Sequence, residues 1–260
     1  MKFWQIRGAT SVVEYADARI LVDPFFAEKD AYPPLEDSFH PELRWPTAPL
    51  PCGPDEITHG IDAVLVTHLH PDHLDEAAVK ALDKKIKLFT QDEWDAEHIS
   101  AMGFANVEIL QYGGTVFKRA TLYKTDCVHG LAVKTKPYYD KLGIRGDACG
   151  AVFRGAGEPV FYLAGDTIWT DCVRKTIEKY SPDVIAVNAA GAQLRESGLI
   201  IMGTEDVRKV REAAPKARIV VTHMDAVPHA SVSRDDMKKF IAENHIENIC
   251  VPEDGETLNL

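Results

Sequence analysis

No Cys-x-x-Cys pair occurs in this sequence. Its five cysteines, Cys52, Cys127, Cys149, Cys172 and Cys250, are scattered. An odd count without a framework excludes a disulfide scaffold and predicts free thiols in a reducing compartment. No apolar run approaches the roughly 20 residues that a membrane helix needs, so no integral membrane segment is expected. The stretch from Met1 to Arg7 lacks a signal-type apolar core, because Arg7 and Gly8 end the run. The expectation is a cytoplasmic protein. Positive charge is also scarce. The formal net charge is −11, which argues against a broad nucleic-acid surface. No short-period repeat and no linker-like stretch is visible. What is present is a hydrophobic content of 45% over 260 residues, enough to bury a core in one α/β domain spanning residues 1–260.

Apolar runs and turn signals place the elements. Val12 to Tyr15 and Arg19 to Val22 read as a hairpin stopped by Asp23-Pro24. Residues from about 25 to 58 are rich in proline and aromatics, including Phe25, Tyr32, Phe39 and Trp45. An irregular loop of this length is usually functional, and its aromatics argue against disorder. It predicts an ordered excursion able to cover a pocket. The alternative is an arm packed on the domain or on another subunit, so the sequence leaves a homo-oligomer open. Ile61 to Val66 reads as a buried strand and Leu74 to Lys85 as a helix. Beyond it come a helix over Asp92 to Met102, short strands to Thr125, and a continued β pattern over Leu131 to Thr135. A second loop is expected over Pro137 to Asp147. A hairpin then joins Ala148–Phe153 to Val160–Leu163, and Asp171 to Tyr180 is a helix. Thr204 reads as the cap of a helix running to about Ala214. Ser233 with Asp236 gives a capping-box start to a helix through Glu243. Sheets flanked by helices follow.

The chemistry concentrates in Thr67-His68-Leu69-His70-Pro71-Asp72-His73. Side chains two apart on an extended segment point the same way, so His68 and His70 can share one metal. Asp72 and His73 begin the next element and can turn toward a second. Neutral imidazole with carboxylate is ordinary ligand chemistry for zinc and its neighbours. Three more ligand-type residues stand just past apolar runs: His129, Asp166 in Gly165-Asp166-Thr167, and His223 in Val221-Thr222-His223. Ligands from several strand ends can converge at one edge of a sheet.

With Asp23 at the end of the second strand, these residues resemble the metallo-β-lactamase superfamily along nearly the whole chain, in order. The resemblance implies an αββα four-layer sandwich with metals at one edge. It implies that His68, His70 and His129 bind a first metal, that Asp72, His73 and His223 bind a second, and that Asp166 bridges them. Asp23 would orient the histidine loop. Within the superfamily the chain looks most like the lactonase-type and N-acyl-phosphatidylethanolamine-phospholipase-like hydrolases. The features are Leu21-Val22-Asp23-Pro24-Phe25 before the Pro-rich loop, Gly165-Asp166-Thr167, and Asn188-Ala189-Ala190-Gly191 ahead of Met202. There is no room for the large inserted domain of the nucleic-acid-processing members.

The expected activity is metal-dependent hydrolysis of a small ester, lactone, amide or phosphoester, using hydroxide held between two divalent ions. Zinc is the first choice of metal, with manganese or iron as alternatives. Asp72 would also orient the hydroxide or carry a proton to the leaving group. His229, six residues after His223, would contact substrate or transfer a proton, against the plainer reading as a surface-loop histidine. Trp169, Tyr138 and Tyr139 are candidates for an apolar wall. Arg145 and Arg195 are candidates to meet an anionic group on the substrate. Cys127, two residues before His129, is an alternative ligand or redox group, against the plainer reading as a buried small hydrophobe. His40, His59, His98 and His245 read as ordinary residues. The competing reading is an iron-dependent dioxygenase or redox protein on the same fold.

Overall fold

Alternation of apolar side chains along the strands decides the layering. The computed structural model describes residues 1–260. In chain order its strands are β1 (Lys2–Arg7), β2 (Thr10–Tyr15), β3 (Ala18–Val22), β4 (Ala63–Leu65), β5 (Lys87–Thr90), β6 (Val107–Ile109) and β7 (Thr115–Phe117). They continue as β8 (Ala120–Asp126), β9 (Cys149–Gly155), β10 (Phe161–Leu163), β11 (Val184–Asn188), β12 (Arg218–Thr222), β13 (Ile249–Cys250) and β14 (Thr257–Asn259). The helices are α1 (Pro54–Thr58), α2 (Glu76–Ala81), α3 (Glu93–Ala101), α4 (Ala132–Leu142), α5 (Asp171–Tyr180), α6 (Thr204–Ala213) and α7 (Arg234–Glu243). The strands form two seven-stranded sheets, ordered β14-β1-β2-β3-β4-β5-β6 and β13-β12-β11-β10-β9-β8-β7.

Successive residues of a strand face opposite sides of its sheet. In β3, Ile20 and Val22 join a core that also holds Val184, Ala186 and Val220 of the other sheet. Leu21 instead packs with Ile57, Ala78 and Ile99 of α1, α2 and α3. In β11, Ile185 and Val187 turn outward onto Val173, Val207 and Met237 of α5, α6 and α7. The order is therefore helices, sheet, sheet, helices: the expected αββα sandwich. Each fully buried Val, Leu, Ile or Phe contributes about 1.5–3 kcal/mol of transfer free energy to holding the sheets face to face.

Strands β3 to β6 run parallel to one another, as do β10 to β13. Strand β8 also runs with β10, because both are antiparallel to β9. The carboxyl ends of β3, β4, β8, β10, β11 and β12 are where the chain exits toward the functional residues. Crevices beyond the carboxyl ends of parallel strands are the usual ligand positions in α/β sheets. No helix is long and apolar enough to cross a membrane.

Several local expectations fail for physical reasons. Leu131 to Thr135 is not a strand, and Pro137 to Asp147 is not all loop: α4 runs through both, with Pro137 inside it and Gly143 ending it at φ 68°. Its inward residues are Thr135 and Tyr139, four apart, while Leu131 and Val133 face solvent. The apolar alternation that suggested a strand is therefore on the wrong face. Thr204 is not a cap. Gly203 holds that position and no side chain caps α6. Helix α2 is shorter than expected and is capped by Asp75, whose side chain accepts from the backbone of Ala78. Strands β1 and β14, paired Phe3 to Leu258, were not foreseen.

Candidate metal centre

The donor side chains come from segments that follow strands, and most are held from outside by a hydrogen-bond partner. After β4 the chain enters the histidine stretch, and Asp23 at the end of β3 grips it. The Asp23 carboxylate accepts from the Thr67 backbone at 2.7 Å and from its hydroxyl at 2.8 Å. The same carboxylate lies 2.9 Å from His73 Nδ1. The Thr67 hydroxyl has spent its hydrogen on Asp23, so it accepts from His68 Nδ1, 3.1 Å away. His70 Nε2 donates to the Arg145 carbonyl at 2.6 Å, and His129 Nδ1 donates to the Ile200 carbonyl at 2.8 Å. The outward nitrogen of each ring thus carries the hydrogen. The lone pairs of His68 Nε2, His70 Nδ1 and His129 Nε2 point inward, and His73 Nε2 faces inward onto Asp166 Oδ2. Partners of this kind fix the tautomer and direction of metal-binding histidines.

Asp166 follows β10 through Gly165, whose φ is +69°; a Cβ there would sit 2.4 Å from the Cys149 carbonyl oxygen. Only glycine fits that turn. Asn188 at the end of β11 donates to Asp166 Oδ1 at 2.6 Å and accepts from the Thr222 hydroxyl at 2.7 Å. That leaves Asp166 Oδ2 in the middle of the rings, 3.3 Å from His73 Nε2, 3.7 Å from His129, 3.8 Å from His223 and 4.0 Å from His68. His223, just past β12, adopts φ 67° and its backbone donates to Gly8. Its Nε2 lies 3.3 Å from Asp72.

The seven residues expected from the sequence all meet. Three groups of donor atoms each lie within 4.8 Å: His68 with His70 and His129, Asp72 with His73 and His223, and His68 with His73 and Asp166. The first two are the two ligand sets that the resemblance implies, and the third joins them through Asp166. All seven residues are buried. His68 Nε2 has no hydrogen-bond partner although fully enclosed. Burying an unpaired polar atom is costly, so a cation at the centre fits this donor set.

Electrostatics agree. Burial holds His70 down to about 3 and His68 well below the usual imidazole range, so both rings are neutral. Burial opposes charge on His73 as well, but Asp166 and Asp23 reverse it and push that ring well up. Burial would raise Asp166, yet His73 and His223 keep it well down and ionised. The pocket is therefore built to hold positive charge against buried carboxylates.

A cavity of about 140 Å³ opens onto this cluster. His70, Asp72 and His229 meet it on one side, and Leu35, Trp45, Tyr139, Leu142, Ile144, Leu194 and Ile200 supply apolar walls. Leu35 and Trp45 come from the Pro-rich loop, which does cover the pocket. Tyr139 also donates from its hydroxyl to the His129 carbonyl at 3.1 Å. A Cβ at Gly146 would lie 2.6 Å from its ring.

Trp169 and Tyr138 pack against the outer core and do not line the cavity. Neither arginine faces it. Arg145 is held by Asp92 and Asp147 at 2.9 and 2.6 Å, and Arg195 pairs with Asp37 at 2.8 Å. The Cys127 thiol donates to the Ala164 carbonyl and burial pushes its pKa up; it joins none of the donor groups. His40, His59, His98 and His245 are outside them too. The sequence reading missed the roles of Thr67, Asn188 and Arg145's carbonyl. Asn188 did carry a signal, being another polar residue directly past a buried apolar strand.

A family model described as "Beta-lactamase superfamily domain" matches residues 18–224. The UPF0173 protein YddR of Bacillus subtilis is 43% identical over 258 residues, covering 99% of each chain. The chain belongs to the UPF0173 family of the metallo-β-lactamase superfamily. Other members of UPF0173 are named metal-dependent hydrolases, such as that of Pyrococcus furiosus. Two solved structures are similar over nearly their full length. One is a possible metal-dependent hydrolase from Veillonella parvula, at 39% identity and a TM-score of 0.95, covering 100% of this chain and 99% of that one. The other is an isothiocyanate hydrolase from Delia radicum gut bacteria, at 39% identity and a TM-score of 0.94, with the same coverage. This UPF0173 chain is thus a member of a family of metal-dependent hydrolases, and its gathered His and Asp donors could hold a metal.

Proposed function

We propose that this protein is a dinuclear hydrolase acting on a small, neutral, apolar-tailed electrophile. The observation that carries the reading is the pairing of two donor triads, joined through Asp166 Oδ2, with an apolar cavity that no lysine or arginine enters. His68, His70 and His129 would hold one cation and Asp72, His73 and His223 the other. Two divalent ions there, zinc by donor type, would supply a water acidified toward neutral pH and polarise the group under attack.

The chain's own residues do the rest. Asp72 borders the cavity, accepts the proton of the attacking water and orients it. His229 borders the same wall, with Nδ1 buried and unpaired. Burial pushes its pKa down to about 4, so the ring is neutral at pH 7 and offers a hydrogen bond to the substrate's leaving atom. The apolar walls exclude water and seat the tail. A cavity of about 150 Å³ is the size that accepts a benzene-sized group.

No lysine or arginine lines the cavity, so positive charge would come only from the metals, and this favours substrates whose tail is uncharged. Among neutral electrophiles, organic isothiocyanates rank first, because a protein 39% identical over the full chain is an isothiocyanate hydrolase. Lactones and simple esters, in keeping with the lactonase-type subgroup, rank next. The test is turnover by protein of measured metal content against isothiocyanates, lactones, esters and phosphodiesters, with oxygen uptake followed in parallel. Hydrolysis of the neutral members, abolished in Asp72→Ala and His70→Ala, is expected. Full metal content and turnover in both variants would refute the reading, and oxygen consumption would favour the dioxygenase.

A further inference from the structure

Three segments far apart in sequence help line the cavity, and they meet at Asp37. Asp37, in the Pro-rich loop, accepts from Lys141 Nζ at the end of α4 at 2.7 Å. Its other oxygen lies 2.8 Å from Arg195 Nε, in the short 3-10 turn Arg195–Ser197. The Arg195 backbone also donates to the Asp37 carbonyl at 2.9 Å. The Asp37 side chain is only 15% exposed, against 57% for Lys141 and 63% for Arg195. The two cations fold over it from outside. Each partner has a neighbouring leucine in the cavity wall: Leu35 two residues before Asp37, Leu142 after Lys141 and Leu194 before Arg195.

This clasp matters because α4 has little else to hold it. Thr135 and Tyr139 are its only buried side chains, and Leu131, Val133 and Leu142 are exposed. An element with so few buried apolar contacts opens at low free-energy cost. Arg195 is held at φ 36°, a backbone state that non-glycine residues keep only when their surroundings impose it. Ordinary surface ion pairs contribute little, but here one carboxylate receives two of them, from two other segments that line the cavity, while the Asp37 main-chain carbonyl takes the Arg195 backbone bond.

We propose that Asp37 is a specificity-determining residue. By drawing the loop, α4 and the 3-10 turn together it keeps Leu35, Leu142 and Leu194 closed around the substrate's tail, and so limits that tail to about one ring or a short alkyl chain. Asp37 acts through those leucines and does not touch the reacting atoms. The proposal rests on the reading of this cavity as the substrate pocket.

The test compares the wild type with Asp37→Asn, Asp37→Ala and Asp37→Glu on methyl, butyl and octyl isothiocyanate. The ratio of kcat/KM for octyl over methyl is expected to rise about tenfold or more in the Asn and Ala variants, the scale on which a hydrophobic pocket discriminates apolar groups. Asp37→Glu, which keeps the charge, is expected to restore much of the wild-type ratio. High salt should move the wild type in the same direction and leave Asp37→Ala unmoved, since partly exposed pairs are screened. Amide exchange across residues 132–142 should quicken in Asp37→Ala while the sheets keep their protection. Faster exchange with an unaltered chain-length ratio would overturn the proposal, leaving a merely structural clasp; unaltered exchange would overturn it too. Should the wild type hydrolyse none of these compounds, the isothiocyanate assignment fails separately. Calorimetric binding of benzene against hexylbenzene to the same proteins then decides the clasp. A selective gain for hexylbenzene in Asp37→Ala supports it, and equal affinities in both proteins overturn it.

Discussion

Asp23 sits in the left-handed region, at φ 46°, and one carboxylate there organises the entire histidine stretch. It receives the Thr67 backbone and hydroxyl and faces His73 Nδ1; through the Thr67 hydroxyl it also sets His68. Removing such an outer partner typically weakens metal binding 10- to 100-fold. Asp23→Ala is therefore expected to lose metal to a competing chelator about 10–100 times more readily than the wild type, without losing any direct donor. Equal retention in competition titrations would show that His68 and His73 hold their directions without it. The role of Asp23 was implied by the resemblance to the metallo-β-lactamase superfamily; its place before Pro24 showed only where a strand stops. The Arg145 and Ile200 carbonyls that set His70 and His129 were not legible, because a backbone acceptor 75 or 71 residues away leaves no mark in side-chain identity.

Helices show the same division. For α7, a purely local signal was sufficient: Ser233 accepts from the Asp236 backbone, and Asp236 accepts in return from Ser233. For α6 a similar-looking signal misled, since Thr204 is the first helical residue and Gly203 precedes it as cap. Ser233→Ala is expected to cost about 1 kcal/mol, and Thr204→Ala a few tenths at most. Denaturant midpoints of the two variants check this; equal losses would mean that Thr204 caps after all. Helix α4 defeated the sequence reading more thoroughly. Its buried pair, Thr135 and Tyr139, includes a polar residue, and its exposed residues include Leu131 and Val133. A binary pattern inverted in this way reflects a helix fastened by Asp37 and by the Tyr139 hydroxyl on His129, rather than by an apolar stripe.

Across the whole molecule, the centre gathers Asp23, Asp72 and Asp166 with five imidazoles, all buried. Such a cluster is stable only when its charges balance. Bound cations would stabilise the folded chain by mass action, by about 2.7 kcal/mol for one site at a hundredfold excess over Kd. For a chain of this size that corresponds to a rise in Tm of roughly 5 °C or more. Dialysis against chelator is expected to lower Tm accordingly, and zinc to restore it. Identical melting with and without chelator would contradict a metal centre at this edge.

The sequence by itself determined which donors exist and that each stands just beyond an apolar run. Both are local properties: His68 to His73 span six residues, and short continuous apolar runs mark the strands that precede Asp23, Asp166 and His223. Only the tertiary structure decided that these ends meet, which ring nitrogens face inward, and what surrounds them. It also turned Arg145 and Arg195 onto Asp92, Asp147 and Asp37, leaving an apolar cavity where the sequence allowed an anion site. The physical reason is that burial of two sheets against each other brings together residues 59 to 150 positions apart, such as His70 with His129 and His73 with His223. No periodicity along the chain encodes a contact of that range.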